Sequence, residues 1–402
     1  MNALHYVWRS MRHRYLLSLL TIFAVMVTVA LFALLLMSQA GVEQSAEKGY
    51  GPFDLVVGAD GSDTQLVLST FYRVGAPVDN IPLSVLEDAK NSSEAQAAFG
   101  VTMGDNHDGY RIIGVDAAYF PTRYENRKLS QGRLYSQLGE VTVGYSVAKA
   151  LHLKVGDTFA GAHGLVEHGV ESFDEGEEEG HDEHASFSYR VVGILPKLNT
   201  PDDRGIFTTM EYAWAVHPDA DEHKEVTAIL IKPRSLMGAQ TMKLKYDAID
   251  HVQAVYSSKA IADVLNMVDS GSQLLSIVML VCMLLSAVTL LLALIASIQE
   301  KQREVGLLRL IGKSRMYIMS SLVGEGLMLT ALGVVFGLLL GHLLAALFSD
   351  AVFAQTGVLL QAWNWADGET LLVLAALLVG AVASLGPSLK VYQSDALTLF
   401  KA

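Results

Sequence analysis

Between His163 and His184 the chain reads HGLVEHGVESFDEGEEEGHDEH, a segment with four of the chain's twelve histidines and nine acids. Imidazoles interleaved with carboxylates are the ligand set of zinc and other divalent transition metals. His163, His168, His181 and His184 are the candidate ligands, with His181 and His184 able to share an ion if their segment is helical. The spacing matches no closed-site signature, and acids this dense also describe a solvated charged loop. Weak or regulatory zinc binding and a plain acidic loop both stand as readings. A second run, GLLRLIGKS from Gly306 to Ser314, looks like a phosphate-binding loop, but five residues separate its glycines where the cradle needs four. Nothing in the chain has the H-E-x-x-H pattern of a zinc protease or the residues of a Ser-His-Asp triad, so no catalytic residue and no enzyme activity are expected, and no cofactor is expected in the chain itself.

What positions these residues is decided by charge distribution. The 402 residues are 51% hydrophobic and 18% charged. Residues 16–37 and 274–298 carry no charge, and each exceeds the roughly 20 residues that cross a bilayer core. A third apolar run over about 318–348 holds only Glu325 and His342 as ionisable groups, and a fourth lies at about 370–389. Four spans are predicted. The first is too long for the apolar core of a signal peptide, although Ser38-Gln39-Ala40 resembles a cleavage site, so it is read as an anchor.

Arginine and lysine mark the cytoplasmic side. Arg9, Arg12 and Arg14 precede the first span, and Lys390 and Lys401 follow the last. Between the second and third spans, QEKQREVGLLRLIGKSRMY (299–317) carries Lys301, Arg303, Arg309, Lys313 and Arg315 against Glu300 and Glu304. Its leucines are too apolar for a loop that need only be wet, which predicts a surface for a partner. Residues 38–271 then lie outside, with 35 acids against 19 bases. Such an acidic domain excludes nucleic acid as a partner. The single cysteine, Cys282, sits in a span, so the domain has no disulfide and stands on its own core.

Short strands interleaved with short helices predict an α+β exterior domain, plausibly of two subdomains. FDLVVGADG, YRIIGVD, SFSYRVVGILPK and VTAILIKP read as strands, and Pro82 to Asn91 as a helix. Helix is expected to run from about Ile261 through the second span to about Ile311. Gly312 is its left-handed stop and Ser314 the N-cap of the next helix. Gly324, Gly326, Gly333, Gly337 and Gly341 in the third span predict close helix packing in lipid. Trp363 and Trp365 are expected at the interface. Glu325 is read either as a helix contact or as an edge residue that reaches the headgroups, and His342 as a hydrogen-bonded packing residue.

REVGLLRLIGKSRMYIMSSLVGEGLMLTALGVVFGLLLG (303–341) resembles the membrane domain of the FtsX, LolC and MacB group of ABC transporter permeases, the type VII or mechanotransmission class. GPSLKVYQSDALTLF (386–400) is similar to that family's closing segment, with Ala396 where a proline is usual. QGRLY, GEVTVGYSVAKALHLKVGDTF and YRVVGIL are similar to its periplasmic domain. The resemblance implies a bacterial inner-membrane permease without a fused ATPase. Its divisions are a cytoplasmic N-terminus (1–15), spans at 16–37, 272–298, 317–348 and 370–389, a periplasmic MacB-like α+β domain (38–271, with the His- and acid-rich insert at 161–185), a cytoplasmic coupling loop (299–316), a periplasmic loop (349–369) and a cytoplasmic tail (390–402). It further implies an ABC ATPase subunit of the MacB or LolD type carrying ATP and Mg, docked through Glu304, Gly306, Leu307, Leu308, Arg309 and Gly312. A second permease, as copy or paralogue, would complete a dimer among membrane lipids, working on a periplasmic protein, a lipoprotein or an exported substrate. The alternatives are an FtsX-like regulator of a periplasmic partner and a zinc-linked transporter component that uses the insert.

Overall fold

Uncharged runs become helices longer than the runs themselves, because nothing at their polar ends breaks the backbone pattern. A computed structural model describes residues 15–125, 127–163, 183–216 and 224–393, together with Arg12. The helices are α1 (Tyr15–Tyr50), α2 (Asp63–Val67), α3 (Leu83–Asn91), α4 (Tyr119–Tyr124), α5 (Tyr145–Ala150), α6 (Met210–Val216), α7 (Leu236–Tyr246), α8 (Ser257–Leu310), α9 (Arg315–Thr356) and α10 (Glu369–Gln393). Four of them, α1, α8, α9 and α10, contain stretches long and apolar enough to cross a membrane. The 54 residues of α8 extend roughly 80 Å at 1.5 Å each, far beyond one bilayer core. Helix therefore covers most of 299–316, ending at Leu310 as the sequence leads one to expect.

Two units emerge. The helical unit comprises residues up to Gly41, Val268–Asp350, and Leu360 onwards; the other comprises Val42–Met267 and Ala351–Leu359.

In the helical unit, Gly333, Gly337 and Gly341 fall at four-residue intervals on α9 and meet α1. A Cβ on Gly337 would lie 2.7 Å from Val29 Cβ and 2.8 Å from the Met26 carbonyl oxygen. The glycines let the two backbones approach directly, the small-residue packing that replaces the hydrophobic effect in lipid. Val25, Val29, Ala33 and Met37 of α1 join Val334, Ala345 and Ala376 in one buried cluster. The Thr28 and Ser286 hydroxyls, 2.7 Å apart, tie α1 to α8.

The second unit is built on strands β1 (Leu55–Ala59), β2 (Ile81–Pro82), β3 (Ala95–His107), β4 (Tyr110–Val115), β5 (Gln131–Gly132), β6 (Glu140–Val143), β7 (Thr158–His163), β8 (Glu183–Ile194), β9 (Ile206–Thr208), β10 (Glu225–Val226), β11 (Ala228–Pro233) and β12 (Val252–Tyr256). Ten of these form one sheet, in the order β12-β1-β11-β3-β4-β9-β6-β8-β5 with β7 against β3 and β8. β3 and β8 are long enough to carry one continuous sheet through Val42–Met267. The sheet is covered on both faces in its first half. Leu55 and Val57 of β1 with Ile229 and Ile231 of β11 enter one core, while Val56, Ala228 and Leu230 enter the other. Burial on both faces is why these strands read as unbroken apolar runs rather than alternations. Residues 95–107 carry few β-branched side chains, so their pattern predicts no strand. Partners on both sides, β11 and β4, make β3 the centre of the sheet.

Gly337→Leu should force α9 away from α1. It is expected to destabilise the chain by about 1–3 kcal/mol or more, read as a lower melting temperature and poorer folded yield. Gly271→Ala, where an added Cβ meets nothing within 4 Å, should leave both unchanged or improved.

Candidate functional site

The polar segment between the second and third candidate spans is a helix end and a tight turn. Glu304, Gly306, Leu307, Leu308 and Arg309 lie on the last turns of α8, which ends at Leu310. Gly312 follows at φ +96°, a conformation that glycine takes without strain. Ser314 Oγ then accepts from the Tyr317 N–H at 3.2 Å, capping α9. Leu310, Ile311 and Met316 are exposed at 54%, 72% and 62%, so apolar surface continues across the turn. Lys313 holds its ammonium 5.0 Å from the centre of the Tyr317 ring. An exposed apolar ridge flanked by cations is suited to a groove on a partner.

A second constellation, invisible in the sequence, sits in the sheet unit. Asp202 is wholly buried, and its carboxylate is the centre of a cluster. Oδ2 accepts from the Tyr119 and Tyr124 hydroxyls, each at 2.7 Å. Oδ1 accepts from Arg73 Nη2 at 3.2 Å, and Arg123 Nε lies 3.4 Å from Oδ2. Burial would push this carboxyl up, but the two guanidiniums and two phenols hold it below the ordinary carboxylate range. Arg123 reaches onward: its Nη2 donates to the carbonyls of Lys48 (3.2 Å) and Gly49, and Tyr72 Oη donates to Ala46 O. The Lys48 and Gly49 carbonyls are among the last four of α1, which lack a partner in the regular helix ladder. The cluster is thus a socket for the end of the first helix. Gly49 is needed there, since any Cβ would overlap the Tyr72 ring.

Each element brings its residue for a local reason. Tyr119 and Tyr124 lie on α4, where Tyr119 stacks on Phe53 at 5.6 Å and Phe120 enters the same core. Arg73 takes a left-handed conformation, φ +62°, where the short π-helical turn Leu68–Tyr72 ends. Asp202 is the second residue of a 3₁₀ turn, Pro201–Arg204. The adjacent Asp203 turns the other way and accepts from the Leu198 and Asn199 N–H groups. Burial pushes its carboxyl up to about 6 despite those donors. In sequence the only signal is a pair of acids in PDDRG; nothing local connects them to residues 73 and 123.

In the helical unit, His342 Nδ1 is 2.7 Å from the Ala362 carbonyl and Nε2 is 3.3 Å from Glu369 Oε2, so His342 is the hydrogen-bonded packing residue expected. Glu325 is buried at 5% exposure, which favours the helix-contact reading over a side chain reaching for the surface. Trp363 is 92% exposed and Trp365 57%, as anchors at an interface require.

His168 and His181 lie outside the described residues. His163 ends β7 and His184 stands at the start of β8. Those two strands pair antiparallel with Ala162 opposite Glu183, which closes the insert as the connection of a hairpin. Among the described residues no group of three or more His, Cys, Asp or Glu could hold a metal.

Residues 18–243 match the family model described as MacB-like periplasmic core domain, and residues 276–395 match FtsX-like permease C-terminal. No curated protein sequence matches the chain. Among solved structures, the periplasmic region of MacB from Actinobacillus actinomycetemcomitans is similar at 13% identity and a TM-score of 0.35, covering 53% of this chain and 92% of that one. The extracellular domain of the noncanonic ABC-type transporter YknZ from Gram-positive bacteria is similar at 8% identity and a TM-score of 0.30, covering 50% and 98%.

Two substitutions probe the socket. Asp202→Ala leaves two buried guanidiniums facing one another and should destabilise the sheet unit by about 3–5 kcal/mol, measured by denaturant unfolding. Asp203 has a carboxyl raised from 3.8 to about 6, so it binds its proton more tightly folded than unfolded. Its stabilising contribution is present below about pH 4 and lost as pH rises through about 6, a swing of about 3 kcal/mol at 1.36 kcal/mol per pKa unit. Asp203→Asn should remove that part of the pH dependence in thermal unfolding between pH 4 and 7.

Proposed function

The chain belongs to the MacB/FtsX type of ABC transporter permease, and from that premise we propose that it couples the ATP cycle of a separate ATPase subunit to work done by its large domain outside the cytoplasm. The observation that carries this reading is the polar, leucine-bearing end of α8 and its turn, set between two apolar helices. Leu307 and Leu308 enter a groove on the ATPase, Arg309 and Glu304 set the register, and Gly312 shapes the turn into α9. Surplus Lys and Arg hold this elbow and both termini on the cytoplasmic side, which puts residues 38–271 in the periplasm of a bacterial inner membrane. A second permease, identical or related, supplies the other half of the assembly.

The helices agree with mechanical rather than channel work. Charged groups are sparse among them, and the small cavity between Thr28, Ser286, Leu290 and Thr330 has a volume of only about 30 Å³, room for about one water. A hydrophilic solute path needs rings of polar or charged side chains along its length.

Two experiments test the reading. Leu307→Asp combined with Arg309→Glu should cut co-purification of the cognate ABC ATPase at least tenfold while the chain stays in the membrane; undiminished co-purification removes the docking assignment. In a Cys282→Ser background, Ile311→Cys should react with an impermeant maleimide only after the inner membrane is permeabilised. Reaction in intact cells with only the outer membrane opened would reverse the topology.

A further inference from the structure

Beside the socket lies a cavity that the proposed coupling does not use. It has a volume of about 350 Å³ and is walled by Phe120, Tyr124, Leu129, Leu134, Leu195 and Leu198. That volume lies in the range of small-molecule sites, which are apolar with a few polar groups at fixed places. Here the polar groups are gathered at the mouth: Arg127 and Lys128, both exposed, with Glu125 beside them. Of the four cations in residues 120–134, Arg123 is buried against Asp202 and Arg133 pairs with Glu140, which leaves Arg127 and Lys128 against the single acid Glu125. These two cations stand in a domain whose residues 38–271 carry 35 acids against 19 bases. Glu125 itself has φ 55° and ψ −136°, a conformation that side-chain-bearing residues rarely adopt and that recurs at ligand clamps.

We propose that this cavity binds a single-chain anionic amphiphile of the fatty-acid class, its tail among the leucines and its carboxylate between Arg127 and Lys128. The division of labour follows from exposure. The tail lies along the leucine wall and loses apolar contact with water, so it supplies most of the affinity. The head meets two cations that remain solvated, so it supplies a modest selectivity over neutral or cationic heads. A purely apolar occupant would leave Arg127 and Lys128 unused, and a cationic one would be repelled by them. The position of the cavity gives occupancy a consequence. Tyr124 is at once a wall of the cavity and a donor to Asp202, and its neighbour Arg123 grips the last carbonyls of α1. An acyl chain against the Tyr124 ring therefore bears on the socket. None of this depends on how, or whether, an ATPase docks at the end of α8.

The test uses the full chain in nanodiscs of phosphatidylcholine, labelled with a photoreactive diazirine analogue of laurate and mapped by peptide mass spectrometry. Labelled peptides should include residues 124–134 and 195–198, apart from any label on the spans. Laurate should compete at least fivefold better than dodecanol or dodecylamine. Arg127→Glu with Lys128→Glu, both at exposed positions where folding is not at risk, should abolish that preference while label in the cavity persists. Leu134→Trp, which fills the space, should remove the label while the chain's melting curve stays unchanged; if that variant unfolds, the charge variant alone decides. Label confined to the spans, equal competition by dodecylamine, or a cavity found occupied by a second copy of the chain in cross-linking would each overturn the proposal.

Discussion

A carboxylate taken wholly out of water has a desolvation penalty of several kcal/mol, and Asp202 meets it with two guanidiniums and two phenols. That arrangement leaves a surplus: one negative charge against Arg73 and Arg123, both also buried. The balance comes from the end of α1, where unpaired carbonyls carry about half a negative charge. Arg123 donating to Lys48 and Gly49 is therefore part of the electrostatics of the whole cluster. Removing the helix end would strand a cation, and removing Asp202 would strand two. The sheet unit is folded around a helix terminus that begins in another unit, which gives that terminus a fixed place in the sheet unit.

The helical unit obeys different physics. With lipid as solvent, burial of leucine gains little, and contact depends on how closely backbones approach. Gly333, Gly337 and Gly341 provide this against α1, and paired hydroxyls at Thr28 and Ser286 add a polar tie. The sheet unit instead excludes water from Val, Ile, Leu and aromatic side chains on both faces of the strands, and can place a buried ionic cluster beneath that shield. One chain thus uses close backbone packing where lipid is the solvent and the hydrophobic effect where water is. α1 takes part in both, through Val25 and Val29 in one unit and Ala46 in the other.

The same distinction separates two kinds of site. The end of α8 is a site by exposure: its turn leaves Leu310, Ile311 and Met316 open, and what it can do depends on a partner's shape. The Asp202 socket is a site by enclosure, where Arg73, Arg123, Tyr119 and Tyr124 of the same chain surround one buried carboxylate. Exposed sites are written in contiguous sequence because one helix and one turn suffice to build them. Enclosed sites need residues delivered by several elements.

Features set by local chemistry were therefore legible. Four apolar runs foretold the helices, surplus Lys and Arg marked 299–317, Gly312 the stop of α8 and Ser314 the cap of α9. Each depends on periodicity, charge or a single backbone preference within a few residues. β3 escaped notice because its alanines and glycines have no strand preference of their own, and only flanking strands on both sides make it central. The continuity of the sheet likewise rests on the pairing of β4 with β9 and β6 with β8, which joins strands far apart in the chain. Residues 73, 123 and 202 carried no common signal, since long-range electrostatic pairing leaves no period in the chain. Composition and spacing determined which stretches meet lipid and which meet water; the tertiary fold alone decided which buried charges face each other, because that depends on distances in space between residues remote in sequence.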